Sequence, residues 1–209
     1  MSPMKTLTRE DVLEIIHSIR VLMAEKKEEL IEIDSVMGDG DLGLTMTKGF
    51  DSADDQLAQT DETDIGKILA QTGMTIAKTA PSTMGTLIAT GFMRGGKALI
   101  GKEQIDTRDL AVFFQAFVEG LMDRGKAQPG DKTVIDSIKP AADSLRAAAD
   151  RDLEEALSEA LEAAKGGLEA TKQMVAKHGR VAYYKEKSLG KADPGATAGV
   201  YIVQGFARL

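Results

Sequence analysis

The sequence predicts an all-α protein with about eight helices in an antiparallel, up-and-down arrangement. Apolar residues recur at steps of three and four along most of the 209-residue chain, which is the period of a helix packed on one side. The connections between these periodic segments are short, and short connections favour antiparallel neighbours. The chain has no strand–helix alternation, no GxGxxG motif after a predicted strand and no P-loop motif, which excludes a Rossmann or P-loop nucleotide fold.

Composition and charge predict a single soluble domain over residues 1–209. The chain is 43% hydrophobic and 28% charged, and no stretch resembles a linker. Its net charge of -7 argues against nucleic acid as a partner, but a metal ion can still supply positive charge locally for a nucleotide. The absence of cysteine excludes disulfides and thiolate metal sites. Residues 1–6 lack a signal-peptide core, and no apolar run approaches the roughly 20 residues of a membrane span, so we expect a cytoplasmic protein.

The first half of the chain predicts four helices. The spacing of Thr8 and Asp11 is that of a capping box, and Ser82 or Thr83 can cap the fourth helix after the break at Pro81. The expected bounds are Thr8 to about Ile33, the residue after Asp41 to about Gln56, Asp64 to about Thr79, and Ser82 to about Leu99.

The second half predicts four more helices, separated by loops at 125–132 and 178–194. Val200–Val203 alone suggests a strand, but no partner strand is evident, so a helix is predicted there. Gly166 and Gly167 interrupt the seventh helix, which indicates close helix packing or a bend. The expected bounds are Thr107, which can cap its helix, to at least Leu121, Thr133 to about Ala149, Leu153 to about Val175, and Ala196 to Phe206.

Three carboxylates fall within eight residues in the segment Asp34 to Asp41, with glycines between them. Flexible glycine backbone lets Asp34, Asp39 and Asp41 converge, and converging carboxylates repel unless a cation lies among them. Hard oxygen ligands suit magnesium. On spacing alone, a solvated turn is an equally good interpretation. A calcium EF-hand is excluded, because Phe50 stands where its loop needs glutamate.

Three further loops are weak candidates when each is taken alone. They are Thr79–Thr86, Pro129–Thr133 and Asp193–Thr197, and each can be an ordinary turn or cap before a predicted helix. In Thr79–Thr86, small hydroxyl residues at a helix N-terminus can also hold a phosphate through backbone N–H groups. In an up-and-down array, alternate connections lie at the same end. These loops and the aspartate loop follow the third, fifth, seventh and first helices, so the sequence predicts one composite site at one end of the protein.

Taken in order, these segments resemble the nucleotide-binding L subunit of dihydroxyacetone kinases, over nearly the whole chain. The resemblance implies an eight-helix barrel with the nucleotide at one end. The motifs that carry it are Asp34–Asp41, Thr72–Thr75, Arg124–Thr133, Gly179–Tyr183 and Asp193–Thr197.

The resemblance also implies roles for individual residues. Asp34, Asp39 and Asp41 would hold two magnesium ions that bridge to the phosphates of ADP or ATP. Arg180 is the candidate catalytic residue, since it can add positive charge beside the phosphates. Lys132 is a weaker candidate, with a structural pairing as the alternative. The residues implied to surround the nucleotide are Leu42, Gly43, Leu44, Thr45, Ser82, Thr83, Gly125, Val134, Arg180, Asp193, Pro194 and Gly195.

The implied activity is phosphoryl transfer to an alcohol group of a short ketose that is bound on a separate K subunit. A phosphotransferase-system M subunit and a second copy of the chain are further candidate partners. Leu42 stands where the family pattern usually has histidine, and Thr45 where it often has asparagine. The phosphate donor, ATP or a phosphotransferase protein, and the ketose therefore stay open. The alternatives are a non-catalytic nucleotide-binding regulator and a purely structural helical protein.

Overall fold

The computed structural model describes residues 6–208 and is all-α, as predicted. Residues 1–5, on which the absence of a signal peptide was partly judged, lie outside the described range. No helix among residues 6–208 is long and apolar enough to cross a membrane. The helices are α1 (Arg9–Glu25), α2 (Lys27–Ser35), α3 (Leu42–Leu57), α4 (Ile65–Thr79), α5 (Thr83–Ala98), α6 (Thr107–Gly125), α7 (Ile135–Ala147), α8 (Leu153–Ala170) and α9 (Pro194–Phe206).

The helices form a closed ring. From α3 to α8, each helix packs against the next one along the chain. Helix α9 packs against both α8 and α1, and α1 packs against α3, which closes the ring. Because α1 and α2 together replace the first predicted helix, the count agrees with the eight-helix prediction.

Aromatic side chains fill the middle of this ring. All six phenylalanines are at most 1% exposed, and they come from α3, α5, α6 and α9. Phe92 packs edge-on against Phe50, Phe113 and Phe117, with ring centroids 5.3 to 5.9 Å apart. Such edge-to-face pairs add to the free energy gained by burying the rings. The core therefore fixes how the helices are arranged around the site.

Two predicted helix ends were wrong. The first helix does not run unbroken to Ile33, because the backbone at Lys26 leaves helical geometry (φ -99°, ψ 7°) and separates α1 from α2. Helix α8 ends at Ala170 instead of near Val175 and passes into a short 3-10 turn, Thr171–Gln173. The charged run before Ile33 and the continuing apolar period before Val175 gave no sign of either break.

The predicted caps were partly right. Thr8 and Asp11 form the capping box, and the Ser82 side chain accepts the Gly85 N–H at 3.0 Å. Asp106 caps α6 in place of Thr107, because the Thr107 hydroxyl donates instead to the Arg151 carbonyl at 3.0 Å. Asp106 directly precedes Thr107, and aspartate caps helices at least as well as threonine does.

Candidate functional site

A cavity of about 870 Å³ opens where alternate loops of the ring meet. Its wall contains residues from the aspartate loop and from the loops that precede α5, α7 and α9. The expectation that the four loops gather at one end is therefore met. The cavity lies among groups drawn from distant parts of the chain, which local sequence alone does not bring together.

Four helices begin at this cavity. Leu42 of α3, Thr83 of α5, Ile135 of α7 and Pro194 of α9 all line it, and each is the first residue of its helix. The first turn of a helix carries N–H groups without partners in the helix and the positive end of its dipole. Four such ends directed at one cavity favour an anion such as a phosphate group.

Three aspartates form the negative part of the wall. Asp34, Asp39 and Asp41 each place one carboxylate oxygen within 4.8 Å of the others. Gly38 allows this approach, because a β-carbon there would lie 2.2 Å from Asp34 Oδ1. Gly40 turns the chain with a φ of +71°, a conformation that side chains disfavour. The glycine spacing therefore lets the carboxylates converge.

The charges of this cluster are incompletely balanced. Partial loss of solvent around Asp41, followed by the negative charges of Asp39 and Asp34, raises the pKa of the Asp41 carboxyl group. Arg180 opposes this effect, and its guanidinium lies 2.9 Å from Asp39 Oδ2. Three hard oxygen donors with surplus negative charge are the ligand set that magnesium prefers, so these residues fit a magnesium site.

Another part of the wall is apolar. Apart from Val134, sequence reasoning did not select these side chains, although Met84 and Leu87 lie one turn apart at the start of α5, behind the predicted cap at Ser82. They could have been found by following the apolar spacing of three and four residues from each candidate loop into the helix after it. The apolar lining includes Met84, Leu87, Leu121, Ala127, Val134 and Ile135.

Most of the residues predicted to surround a nucleotide line the cavity. The three exceptions follow Leu42 on α3: Gly43 packs against the backbone of α2, Leu44 is 53% exposed, and Thr45 is half-buried outside the cavity wall. Successive residues of a helix face different directions, so a four-residue run cannot all face one cavity. The predicted residues in the wall are Asp34, Asp39, Asp41, Leu42, Ser82, Thr83, Gly125, Val134, Arg180, Asp193, Pro194 and Gly195.

Asp193 is a buried acid at the edge of this cavity. Its Oδ2 accepts the Ala196 N–H at 2.7 Å and so caps α9, while its own N–H donates to the Thr171 hydroxyl at 3.0 Å. Burial raises the pKa of Asp193 to about 7, and the negative charge of Asp136 adds to this, while the Ala196 N–H and Lys132 oppose it. The acid therefore holds its proton more strongly than it does in water.

Replacing Asp193 by asparagine should remove one component of the pH dependence of stability. The folded pKa of about 7 lies above the usual 3.8, so the stability that this group contributes is complete below about pH 4. It is lost as the pH rises to about 7 and stays constant above that value. An asparagine oxygen still accepts the Ala196 N–H but does not titrate.

Urea unfolding of the wild type and of Asp193→Asn between about pH 5 and 8 measures this difference. We expect the wild-type free energy of unfolding to fall relative to the variant as the pH rises. A constant difference across that range would show that Asp193 ionises in the folded protein as it does in water.

Comparison with known proteins places the chain in a family. The model of the DAK2 domain family matches residues 36–208. The chain is 33% identical over 204 residues to the PEP-dependent dihydroxyacetone kinase, ADP-binding subunit DhaL, of Escherichia coli (strain K12), covering 97% of each chain. It is 28% identical over 198 residues to the PTS-dependent dihydroxyacetone kinase, ADP-binding subunit DhaL, of Lactococcus lactis, covering 95% of this chain and 96% of the relative.

A solved structure agrees with the fold. The dihydroxyacetone kinase of C. freundii in complex with AMP-PNP and Mg²⁺ superposes with a TM-score of 0.75 at 23% identity. The match covers 98% of this chain and 35% of that one, so the chain spans about a third of that kinase. Together with the family match over most of the chain, these findings show that the chain belongs to the DAK2 domain family.

Proposed function

We propose that this chain is the nucleotide-binding subunit of a dihydroxyacetone-type kinase. It would hold ADP or ATP with magnesium and serve phosphoryl transfer to a short ketose that is bound on a separate K subunit. The observation that carries the proposal is the meeting of three carboxylates with four helix N-termini at one cavity. Phosphoryl transfer mainly needs alignment of the phosphates and neutralisation of their charge, and this wall has groups for both.

Asp34, Asp39 and Asp41 would hold the metal, and two magnesium ions are the proposed number. Bound magnesium would supply neutralisation of the phosphate oxygens. Around it, the N–H groups at the starts of α5, α7 and α9 would bind further phosphate oxygens. The apolar lining that includes Leu87 and Leu121 would accept the nucleotide base. A nucleotide contact by Gly43, Leu44 or Thr45 stays a prediction.

The proposed partner and donor rest on what the relatives' names state. The E. coli relative is named as an ADP-binding subunit, which supports a separate subunit for the ketose. Relatives named PEP-dependent and PTS-dependent support a phosphotransferase protein as phosphate donor. Docking of an M subunit stays a prediction. The L-erythrulose kinase of Pectobacterium atrosepticum, 31% identical over 185 residues and matched over only 31% of its own length, supports a four-carbon ketose. We further propose that the chain forms one domain in the cytoplasm and joins the K subunit as a single copy or as a homodimer.

A nucleotide-binding regulator is the second candidate function, and Leu42 is the residue that motivates it. This side chain is 4% exposed, and the backbone N–H of Leu42 donates to Asp34 Oδ2 at 3.3 Å. Position 42 therefore presents backbone but no polar side chain beside the aspartates. An apolar side chain at this position fits a protein that binds nucleotide without transferring phosphate as well as it fits a kinase subunit.

Replacing Arg180 by glutamine should separate the two functions. Arg180 is 69% exposed and pairs with Asp39, so its loss should weaken binding of Mg-ADP less than about tenfold. In a kinase, its charge would act mainly on the transferred phosphoryl group, so turnover should fall by about 100-fold or more. Calorimetry measures the binding, and a coupled assay with the cognate K subunit measures the turnover.

Arg94→Gln is the matched control, because Arg94 pairs with Asp123 on the surface, outside the cavity wall. We expect the Mg-ADP affinity and the turnover of Arg94→Gln to equal those of the wild type. A wild-type chain that binds no Mg-ADP would refute the proposed function. Normal binding without any phosphoryl transfer would support the regulator instead.

A further inference from the structure

Lys132 contributes to the cavity wall and is the only buried lysine among residues 6–208, but its ammonium is bonded to the protein. It is 2% exposed, and its backbone has a φ of 62°. Its ammonium donates to three backbone carbonyls, those of Met174 at 3.2 Å, Lys191 at 2.7 Å and Ser188. The structural pairing that the sequence left open for Lys132 is therefore the one observed, and its partners are all on one segment.

That segment, Met174–Lys191, forms one side of the cavity. It carries His178, Gly179, Arg180 and Val181 in the cavity wall. Two glycines with positive φ, Gly179 at 66° and Gly190 at 76°, turn the chain on either side of its 3-10 portion. Between these turns the side chains are mostly exposed, so little apolar packing holds the segment in place.

We propose that Lys132 is a positioning residue that fastens both ends of Met174–Lys191 and thereby holds Arg180 at the cavity. Met174 lies at the beginning of the segment, and Ser188 and Lys191 lie at its end, so a single ammonium joins the two. This inference rests on the proposed function for its consequence in nucleotide binding. The fastening itself is a property of the protein without nucleotide.

The chemistry of the contact requires lysine. An ammonium group carries three donors, and here three carbonyl oxygens receive them. A guanidinium is planar and larger, so arginine cannot direct three bonds into the same space. Burial lowers the pKa of Lys132, and the negative charge of Asp193 opposes that change.

Other contacts fasten the same segment. The Ala176 N–H donates to the Ser188 hydroxyl at 3.0 Å, which also joins its two ends, and an ion pair lies near its beginning. The Asp131 carboxylate accepts from Lys177 Nζ at 2.7 Å and lies 3.2 Å from His178 Nε2. The Lys177 side chain is 64% exposed, so water screens this ion pair and makes it weaker than the buried contacts of Lys132. Loss of Lys132 should therefore loosen the segment more than loss of Lys177.

Hydrogen exchange on the nucleotide-free protein tests the fastening. In Lys132→Met, amides of residues 174–191 should exchange about tenfold faster or more, while amides of α6 in the core keep their wild-type protection. The matched control is Lys172→Met, which removes a surface lysine paired with Glu169 just before the same segment. Unchanged exchange of residues 174–191 in a folded Lys132→Met protein would overturn the proposal.

Chemical rescue provides the second test and holds even if Lys132→Met fails to fold. In Lys132→Ala, propylammonium can occupy the vacated space and donate to the three carbonyls, whereas tetramethylammonium has no N–H to donate. Propylammonium should restore protection of residues 174–191, and tetramethylammonium should not. Equal effects of the two cations, or no effect of either, would overturn the proposal.

Nucleotide binding then measures the consequence of the fastening. Mg-ADP should dissociate about tenfold faster from Lys132→Met than from Lys172→Met, because Arg180 and its neighbours are no longer held at the cavity. Equal dissociation rates would overturn the positioning role. If the wild type binds no Mg-ADP, the proposed function fails, while the exchange measurements still decide whether Lys132 fastens the segment.

Discussion

Replacing Asp41 by asparagine is expected to weaken magnesium-dependent ADP binding by about 100-fold, or ~2.8 kcal/mol. Changes in the groups that merely support a metal ligand already cost about 10- to 100-fold, so loss of a ligand charge belongs at the upper end of that range. Calorimetry with ADP, with and without magnesium, measures the effect. ADP binding without magnesium should change little.

The same substitution should leave the protein without metal as stable as the wild type, or more stable. The Asp41 side chain makes no capping hydrogen bond at the start of α3, so replacing it by asparagine removes no capping bond from the helix. The negative charges of Asp39 and Asp34 help raise the pKa of Asp41, so removing its charge relieves repulsion. If the aspartates form a metal site, Asp41→Asn therefore weakens Mg-ADP binding while the stability of the metal-free protein stays the same or rises. If they form a purely structural turn, the substitution has no effect on binding.

Asp123→Asn is the matched control for charge, since Asp123 is 62% exposed and pairs with Arg94. It removes one negative charge outside the cavity wall and should change neither ADP binding nor the melting temperature beyond experimental error. Wild-type affinity for Mg-ADP in Asp41→Asn would contradict the magnesium assignment. A large loss of stability without metal would instead support the turn interpretation.

Substituting alanine at the adjacent glycines 166 and 167 should give effects of opposite sign. A β-carbon at Gly167 would lie 2.1 Å from the carbonyl oxygen of Asp136 and 2.9 Å from Pro140 Cγ, so α7 and α8 must separate. A β-carbon at Gly166 has no atom within 4 Å. We expect Gly167→Ala to lower the free energy of unfolding by about 2 kcal/mol. Gly166→Ala should raise it by up to ~1 kcal/mol through helix propensity.

The change at Gly167 should also reach the cavity. Asp136 lies in the first turn of α7, and its carboxylate accepts the N–H groups of Gly130 at 2.6 Å and Thr133 at 2.8 Å. Moving this turn displaces the loop that carries Lys132. Mg-ADP binding should therefore weaken in Gly167→Ala and stay unchanged in Gly166→Ala.

Urea unfolding of both variants measures the stabilities, with the slope of each transition as a check on two-state behaviour. If both alanines stabilise the protein, the close approach of α7 and α8 at Gly167 is wrong. If both destabilise it, position 166 is not the open surface that the structure shows. The sequence predicted close packing or a bend for this glycine pair, and close packing at one member is what the structure contains.

Helical period and capping residues were enough to predict the all-α class and most helices. The apolar stripe of α1 and the cap at Ser82 are local properties, because each depends on residues within one or two turns. The break at Lys26 and the early end of α8 were not predicted. At Thr171 the reason is visible, since its hydroxyl bonds the Leu168 carbonyl and accepts the distant Asp193 N–H.

The order of the motifs indicated the family, and residue spacing indicated the aspartate loop. The alternation of loops in an up-and-down array predicted the end of the protein where the candidate site lies. Only the tertiary structure decided which residues share the cavity wall. It placed Arg180 against Asp39, left Gly43 and Leu44 outside, and joined Lys132 to Met174 and Lys191. Those contacts link residues as far apart as Asp39 and Arg180, which are separated by 141 positions. Sequence spacing carries no information about such pairs. They are set by the packing of the helix ring, which no single segment specifies.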